Sequence, residues 1–292
     1  YTNGSEDIDE LRKLNIVNPE VYINPDTRVA YIGLLKNITA QQVTVDLDNV
    51  DGGRISMTAS GKVTVGHDVF GNYYKTVATG EQEIFNGQAR IGQVTTDTES
   101  YGIDGNFSHT KSKLKYEYDE KNMLKLAKDL EVGVITDSSG MVTAFAEDSR
   151  DKIQGSVTIG RDIFGNCYSI TAIHSTEEEN DNHQYQVING QTKVAYVTTT
   201  TLSRSIDGGT GESIKKLKYE YTTSDEKGYE LPDNIIDSKK YIDPDTGRAY
   251  LGLLKSVVPL EVTIDDNGQR RSYRGTITVS HDPFDNRLTT LA

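Results

Sequence analysis

The sequence predicts an all-β chain: tandem β-sandwich, Ig-like or small-barrel repeats with short helical insertions. Three observations predict it. The first is a repeated pattern: Val63-Thr-Val-Gly-His-Asp-Val-Phe-Gly-Asn72 returns as Val157-Thr-Ile-Gly-Arg-Asp-Ile-Phe-Gly-Asn166 and Ile277-Thr-Val-Ser-His-Asp-Pro-Phe-Asp-Asn286. Each copy alternates apolar and polar residues into an Asp-x-Phe-(Gly/Asp)-Asn turn, the signature of a β-hairpin. The second is a constant offset: Asn86, Ile103 and Lys113 recur 103 positions later as Asn189, Ile206 and Lys216. Repeats at a fixed period mark a repeat architecture. The third is turn chemistry about every 8–12 residues with no long helical stretches between strands, which speaks against a parallel α/β sheet.

Residues 1–20 are polar, and the run Ser5 to Leu14 has a cap signal, then acids, then bases, the marks of a short helix. This segment is also a candidate assembly arm. The first β repeat covers residues 21–118. It opens on an expected hairpin at Tyr22 to Lys36, turned at Pro25-Asp26. Val43 to Leu47 follows as a strand, then the signature hairpin, then Asn86-Gly87, the strongest short hairpin signal. Ile103-Asp-Gly105 makes another turn, and Lys113-Leu-Lys-Tyr-Glu-Tyr118 closes the unit.

The second repeat covers 119–221. Met123, Leu124, Leu126, Ala127 and Leu130 have helical spacing, so a helical insertion is expected over 119–130. Val134 to Val142 replaces the Pro-Asp hairpin, and the remaining landmarks recur, ending in Lys216-Leu-Lys-Tyr-Glu-Tyr221. The last region, 222–292, is a linker plus an incomplete third repeat. Tyr241 to Lys255 nearly reproduces residues 22–36, but no Asn-Gly hairpin or Lys-Leu-Lys-Tyr-Glu-Tyr strand follows the final signature.

In the signature, Asp68, Asp162 and Asp282 can bond back to their own backbone, and Asn72, Asn166 and Asn286 tolerate tight-turn geometry. Phe70, Phe164 and Phe284 are expected to fold under their turns as buried plugs.

Composition narrows the function classes. The formal charge is −13, from 31 basic and 44 acidic residues, which disfavours sequence-independent binding to nucleic acid or anionic membrane. No apolar run is long enough to span a bilayer. With 17 Tyr, 6 Phe and no Trp, the cores should be thin and half-buried sheet faces tyrosine-rich. The single Cys167 excludes an internal disulfide and reads as a tolerated strand residue.

Catalytic chemistry is not legible. His67 and His281 share a repeat position that holds Arg161 in the second unit, so they read as loop-edge residues with Asp68 and Asp282 as local partners. No Cys/His cluster or nucleophile elbow occurs. Gly208-Gly-Thr-Gly lacks the Lys-Ser/Thr ending of a phosphate loop and reads as an exposed turn. The chain is therefore expected to be non-enzymatic and without cofactor. Calcium is the one cation weighed: Asp46, Asp48 and Asp51 sit in an oxygen-rich loop, but EF-hand spacing is not met and turn chemistry explains the loop without a metal.

The expected function is a structural subunit of an extracellular fibre, sheath, surface layer or virion appendage, self-associating head-to-tail through its β-domains. A β-repeat adhesin binding a glycan or protein ligand is the alternative, with Tyr73, Tyr74 and Tyr101 as a candidate platform. The incomplete third unit should need covering, by residues 1–20 of a neighbour, by another face of the chain or by further sequence; a smaller self-sufficient unit is the rival reading.

Overall fold

A computed structural model describes the chain apart from residues 15, 17, 39–41, 49–53, 179–181, 223–239, 241, 245–246, 249 and 267–268. Helix α1 (Ile8–Arg12) starts at Asp7, not Ser5. The Asp7 side chain accepts from Asp9 N and Glu10 N at 3.0 Å each, and Glu10 returns a bond to Asp7 N. A 3-10 turn, Pro19–Tyr22, follows, and Leu11, Ile16 and Ala30 form a small core there.

The expected hairpin over 22–36 reduces to one bridge, Ile23 to Ala30. Its second arm is taken by the start of the chain. Ala30 N bonds Glu6 O, Gly33 N bonds Thr2 O, and Leu34 N bonds the Thr2 hydroxyl. Residues 2–6 are thus bonded to residues 30–34 of the same chain. Thr222 makes the same bonds, to Tyr250 O, Leu253 N and Gly252 N.

Strands β1 (Gln42–Asp48) and β2 (Arg54–Ser60) form a hairpin. Then β3 (Lys62–His67), β4 (Tyr73–Phe85), β5 (Gln88–Tyr101) and β6 (Phe107–Tyr118) form an antiparallel meander. Asn86 and Gly87 join β4 to β5 with φ of 48° and 69°, both in the left-handed region that a two-residue hairpin turn needs.

Residues 119–130 are not a helix. A turn at 119–123 leads into β7 (Leu124–Asp129), paired along the second half of β6. The five apolar residues fit either period locally, but this strand pairing satisfies the backbone at the open flank of β6. Strands β8 (Glu131–Thr136), β9 (Val142–Phe145) and β10 (Lys152–Gln154) then make a separate three-stranded sheet.

The main sheet resumes with β11 (Ser156–Arg161) and β12 (Cys167–Ser175). Strands β13 (Gln184–Ile188) and β14 (Gln191–Lys193) form the second Asn-Gly hairpin, and β15 (Tyr196–Arg204) and β16 (Thr210–Tyr221) complete the unit. Strand β17 (Leu254–Pro259) lies along β16, β18 (Glu261–Asp266) and β19 (Gln269–Arg274) pair together, and β20 (Thr276–His281) and β21 (Arg287–Leu291) are the last signature hairpin.

The chain is nearly all β, with large antiparallel sheets. Among the described residues its strands do not divide into one closed sandwich or barrel per unit. Strand β6 bonds β11, and β16 bonds β20, so successive units share a 14-stranded sheet. Ten strands run across it in the order β3-β4-β5-β6-β11-β12-β15-β16-β20-β21. Such sharing removes an open edge at each junction, where separate sandwiches would expose two.

The two faces of this sheet differ. One carries Val157 and Ile159, covered by Val132, Val134 and Val142 of β8 and β9; Phe145 and Ile153 pack on this core. The opposite face carries a row of hydroxyls at successive paired positions: Thr64, Thr76, Thr98, Thr110, Thr158, then Thr201, Ser213, Thr278 and Thr290, broken only by Ile170. Thr76 and Thr98 lie 3.0 Å apart through their hydroxyls, and Thr110 and Thr158 2.8 Å. Cross-strand Thr pairs stabilise a sheet, and side-chain ladders are one device that lets a broad sheet resist twisting. On this face Tyr74 lies over Gly66 and Tyr168 over Gly160; a Cβ at either glycine would run into the tyrosine's phenol.

Candidate functional site: turns, side-chain ladders and open edges

The three signature turns are built alike. Asp68 Oδ1 accepts from Phe70 N at 2.8 Å and Asn72 N at 3.0 Å, and Asn72 Nδ2 donates to Asp68 Oδ2 at 2.6 Å. The same three bonds recur at Asp162, Phe164 and Asn166, and at Asp282, Phe284 and Asn286. The Asn side-chain amide, chiefly, holds each of Asp68, Asp162 and Asp282 below its usual carboxyl range, with backbone N–H groups adding to it. Asn72 Oδ1 also accepts from Ile103 N, and Asn166 Oδ1 from Ile206 N, locking each signature turn to the Ile-Asp-Gly turn beside it.

The phenylalanines are not plugs. Phe70, Phe164 and Phe284 are 75%, 71% and 86% exposed. The Asp and Asn bonds already close each turn, and the covering strands pack further down the sheet, so nothing lies over the rings. Val69, Ile103, Ile163 and Ile206 are exposed at the same end.

Register brings together residues that were unconnected in the sequence reading. Tyr73 pairs with Tyr101 and Tyr101 with Phe107, and with His67 and His109 their rings make a row, adjacent centroids 5.0–6.4 Å apart. Tyr74 faces the other way, over Gly66, so the three-tyrosine platform is a pair. The His67 ring lies against Tyr73 at a tilt of 57°, while Asp68 is taken by its own turn; the expected His67–Asp68 pairing is not made. Burial first, and then its bond to Glu99, push the Tyr101 phenol up to about 12.

One position further along the same face, His109 Nε2 lies 2.7 Å from Asp97 Oδ1, and Lys111 Nζ is 3.0 Å from Asp97 Oδ2. Lys75 and Tyr101 both bond Glu99. Asp97, Glu99 and His109 have the donor set and proximity of a metal site, with ligand atoms within 4.8 Å of one another. Two lysines already neutralise the two carboxylates, however, and a cation would have to displace them. Once Ile103-Asp-Gly105 is read as a turn, counting back from it places 97 opposite 111 and 99 opposite 109; that count was the available signal.

A buried cluster lies at β7, β12 and β13. Asp129, fully buried, bonds His174 Nδ1 at 2.8 Å and the Tyr185 hydroxyl at 3.0 Å. Burial, then the Asp129 charge, push the Tyr185 phenol up. It staples the Asn-Gly hairpin of the second unit to the sheet.

Asp51 lies outside the described residues, as do the side chains of Asp46 and Asp48, so the calcium loop has no geometry to report. Cys167 begins β12 as an exposed strand residue. A cavity of about 720 Å³ opens beside it, walled by Tyr101, Phe107, Met141, Val142 and Ile159 with Arg161 at the rim. No helix of the described residues is long and apolar enough to cross a membrane.

Among the described residues β3 pairs only with β4, and β21 only with β20. No known protein family, curated protein or solved structure matches the chain.

Proposed function

We propose that the chain is a non-enzymatic structural subunit of an extracellular fibre, sheath, surface layer or virion appendage, in which tandem β-units associate through their sheets. The observation that carries this reading is the way units join inside the chain. Each hands its last strand to the signature strand of the next, β6 to β11 and β16 to β20, so that one sheet continues from unit to unit by strand pairing alone. Light scattering against concentration, with negative-stain microscopy, tests it. Ordered polymer supports it; a monomer at every concentration counts against it.

A ligand-binding module is the second reading, favoured by the Tyr73–Tyr101–Phe107 row and the adjoining cavity. Its volume is in the range of small-ligand sites. Screening the chain against glycans, with Tyr101→Ala as the control, tests it: binding lost in the variant would favour this module over the assembly subunit.

A further inference from the structure

We propose that the cavity beside Cys167 is a preformed site for a small organic acid with an apolar body, its carboxylate held by Arg161. This rests on the second reading above, the ligand-binding module, and names the class of ligand.

The cavity follows from the sheet register. The row that brings Tyr73, Tyr101 and Phe107 together runs on through Arg161, Cys167 and Arg204, because Phe107 pairs with Arg161, Arg161 with Cys167 and Cys167 with Arg204. It is the last row of the covered face before the signature turns. Met141 and Val142 line the same space from the covering sheet, and about 720 Å³ lies between them and the row. Two ties fix the cover there. Val142 N bonds Ser169 Oγ at 3.2 Å, and Arg204 bonds Asp137 and Ser139 in the turn between β8 and β9. The walls therefore stand before a ligand arrives, which keeps the ordering cost of binding low.

Charge selects the ligand. The chain has 44 acidic against 31 basic residues, yet none of the described residues lining the cavity is acidic and two are arginines. The nearby acids are already engaged: Glu99 by Lys75 and Tyr101, Asp137 by Arg204, and Asp162 by its own turn. Arg204 is neutralised by Asp137. Arg161 is exposed and makes no hydrogen bond or ion pair among the described residues, so its guanidinium is the donor left for a ligand. A guanidinium presents two parallel N–H groups that match a carboxylate. One such cation balances one carboxylate, whereas a phosphate dianion would keep unpaired charge against apolar walls.

The rest of the ligand is set by those walls. Phe107, Met141, Val142, Ile159 and Ile206 offer no side-chain donor or acceptor, and the Tyr101 hydroxyl is already on Glu99. A body rich in hydroxyls would leave them unpaired there, and an aromatic or branched aliphatic body would not. The last unit makes the contrast. Its corresponding space, over Ile277 and Val279, is about 400 Å³, has His281 at the position of Arg161, and holds Glu212 as well as Arg287. An anion meets a like charge in that space.

The probe is naphthaleneacetate, compared with its uncharged amide, which keeps the same ring. Titration calorimetry on the full chain is expected to show one acid bound per chain, about tenfold tighter than the amide, the worth of one charge-assisted pair. Arg161→Gln, at an exposed position, should bring the acid down to the amide and leave the amide where it was, with unchanged circular dichroism. Ile206→Ser, at a rim residue 80% exposed, should weaken acid and amide alike. Cys167 reports the place, being the single thiol and part of the lining. Bound acid should slow its alkylation by iodoacetamide, read by mass spectrometry, and the same concentration should give no protection in Arg161→Gln. Equal affinity for acid and amide, or acid binding that Arg161→Gln leaves intact, would overturn the proposal and leave the ligand-binding module standing. So would a neutral glycan that protects Cys167 where the acid does not. Failure of acid, amide and glycan alike to protect Cys167 would remove both the proposal and that reading of the cavity.

Discussion

Replacing Phe164 by alanine is expected to leave stability nearly unchanged, whereas replacing Val157 by alanine is expected to damage it. Phe164 is 71% exposed. A phenylalanine offers roughly 200 Å² of surface. The covered share is then about 60 Å², which at about 25 cal/mol per Å² sets a ceiling near 1.5 kcal/mol. The denatured chain already hides part of that area, so about 1 kcal/mol or less is expected. Val157 is fully buried among Val132, Val134 and Val142. Losing two methyl groups there costs about 1.6 kcal/mol in transfer. With a cavity term, the total should be about 2–3 kcal/mol. Urea melts of both variants, compared at equal m-value, measure this. A Phe164→Ala cost as large as that of Val157→Ala would show the ring working as a plug and refute the account of the turns.

Three further outcomes are expected. Glu6 is held at about 2 by Lys36, by its own backbone and by that of Asn3, against an ordinary 4.5; its contribution is complete above the ordinary value and fades as pH falls toward 2, which a carboxyl NMR titration reads directly. Tyr101 should ionise near 12, with its share of stability present below the ordinary tyrosine value of 10.0 and lost as pH rises through 12, seen as a late step in an ultraviolet titration and absent in Tyr101→Phe. If Asp46, Asp48 and Asp51 hold calcium, chelation should lower the melting temperature and added calcium restore it; no change on adding a chelator would leave turn chemistry as the sufficient account of that loop.

Local chemistry was legible in the sequence and distant pairing was not. Asn86-Gly87 marks its hairpin because the demand for positive φ is met by those two residues alone. The Asp-x-Phe-x-Asn turns are likewise closed by atoms four residues apart. Which side of a turn is covered depends on strands far away, and so the phenylalanines were misplaced. Residues 123–130 satisfied a helical period, and only the vacant flank of β6 decides for a strand. The union of units into one sheet rests on β6–β11 and β16–β20, pairings separated by an intervening excursion that no local pattern encodes. The Asp97–Glu99–His109 ladder falls between these cases, since one turn fixes its register but the ladder emerges only when two strands are laid side by side.

The central claim is that successive units share one sheet, β6 with β11 and β16 with β20, and disulfide trapping across the first junction tests it most directly. Thr110 and Thr158 face each other there with hydroxyls 2.8 Å apart, in reach of a disulfide once both are cysteine. Thr110→Cys/Thr158→Cys in a Cys167→Ser background is expected to cross-link within one chain on mild oxidation. A pair that stays reduced, or that links only between chains, would contradict the account.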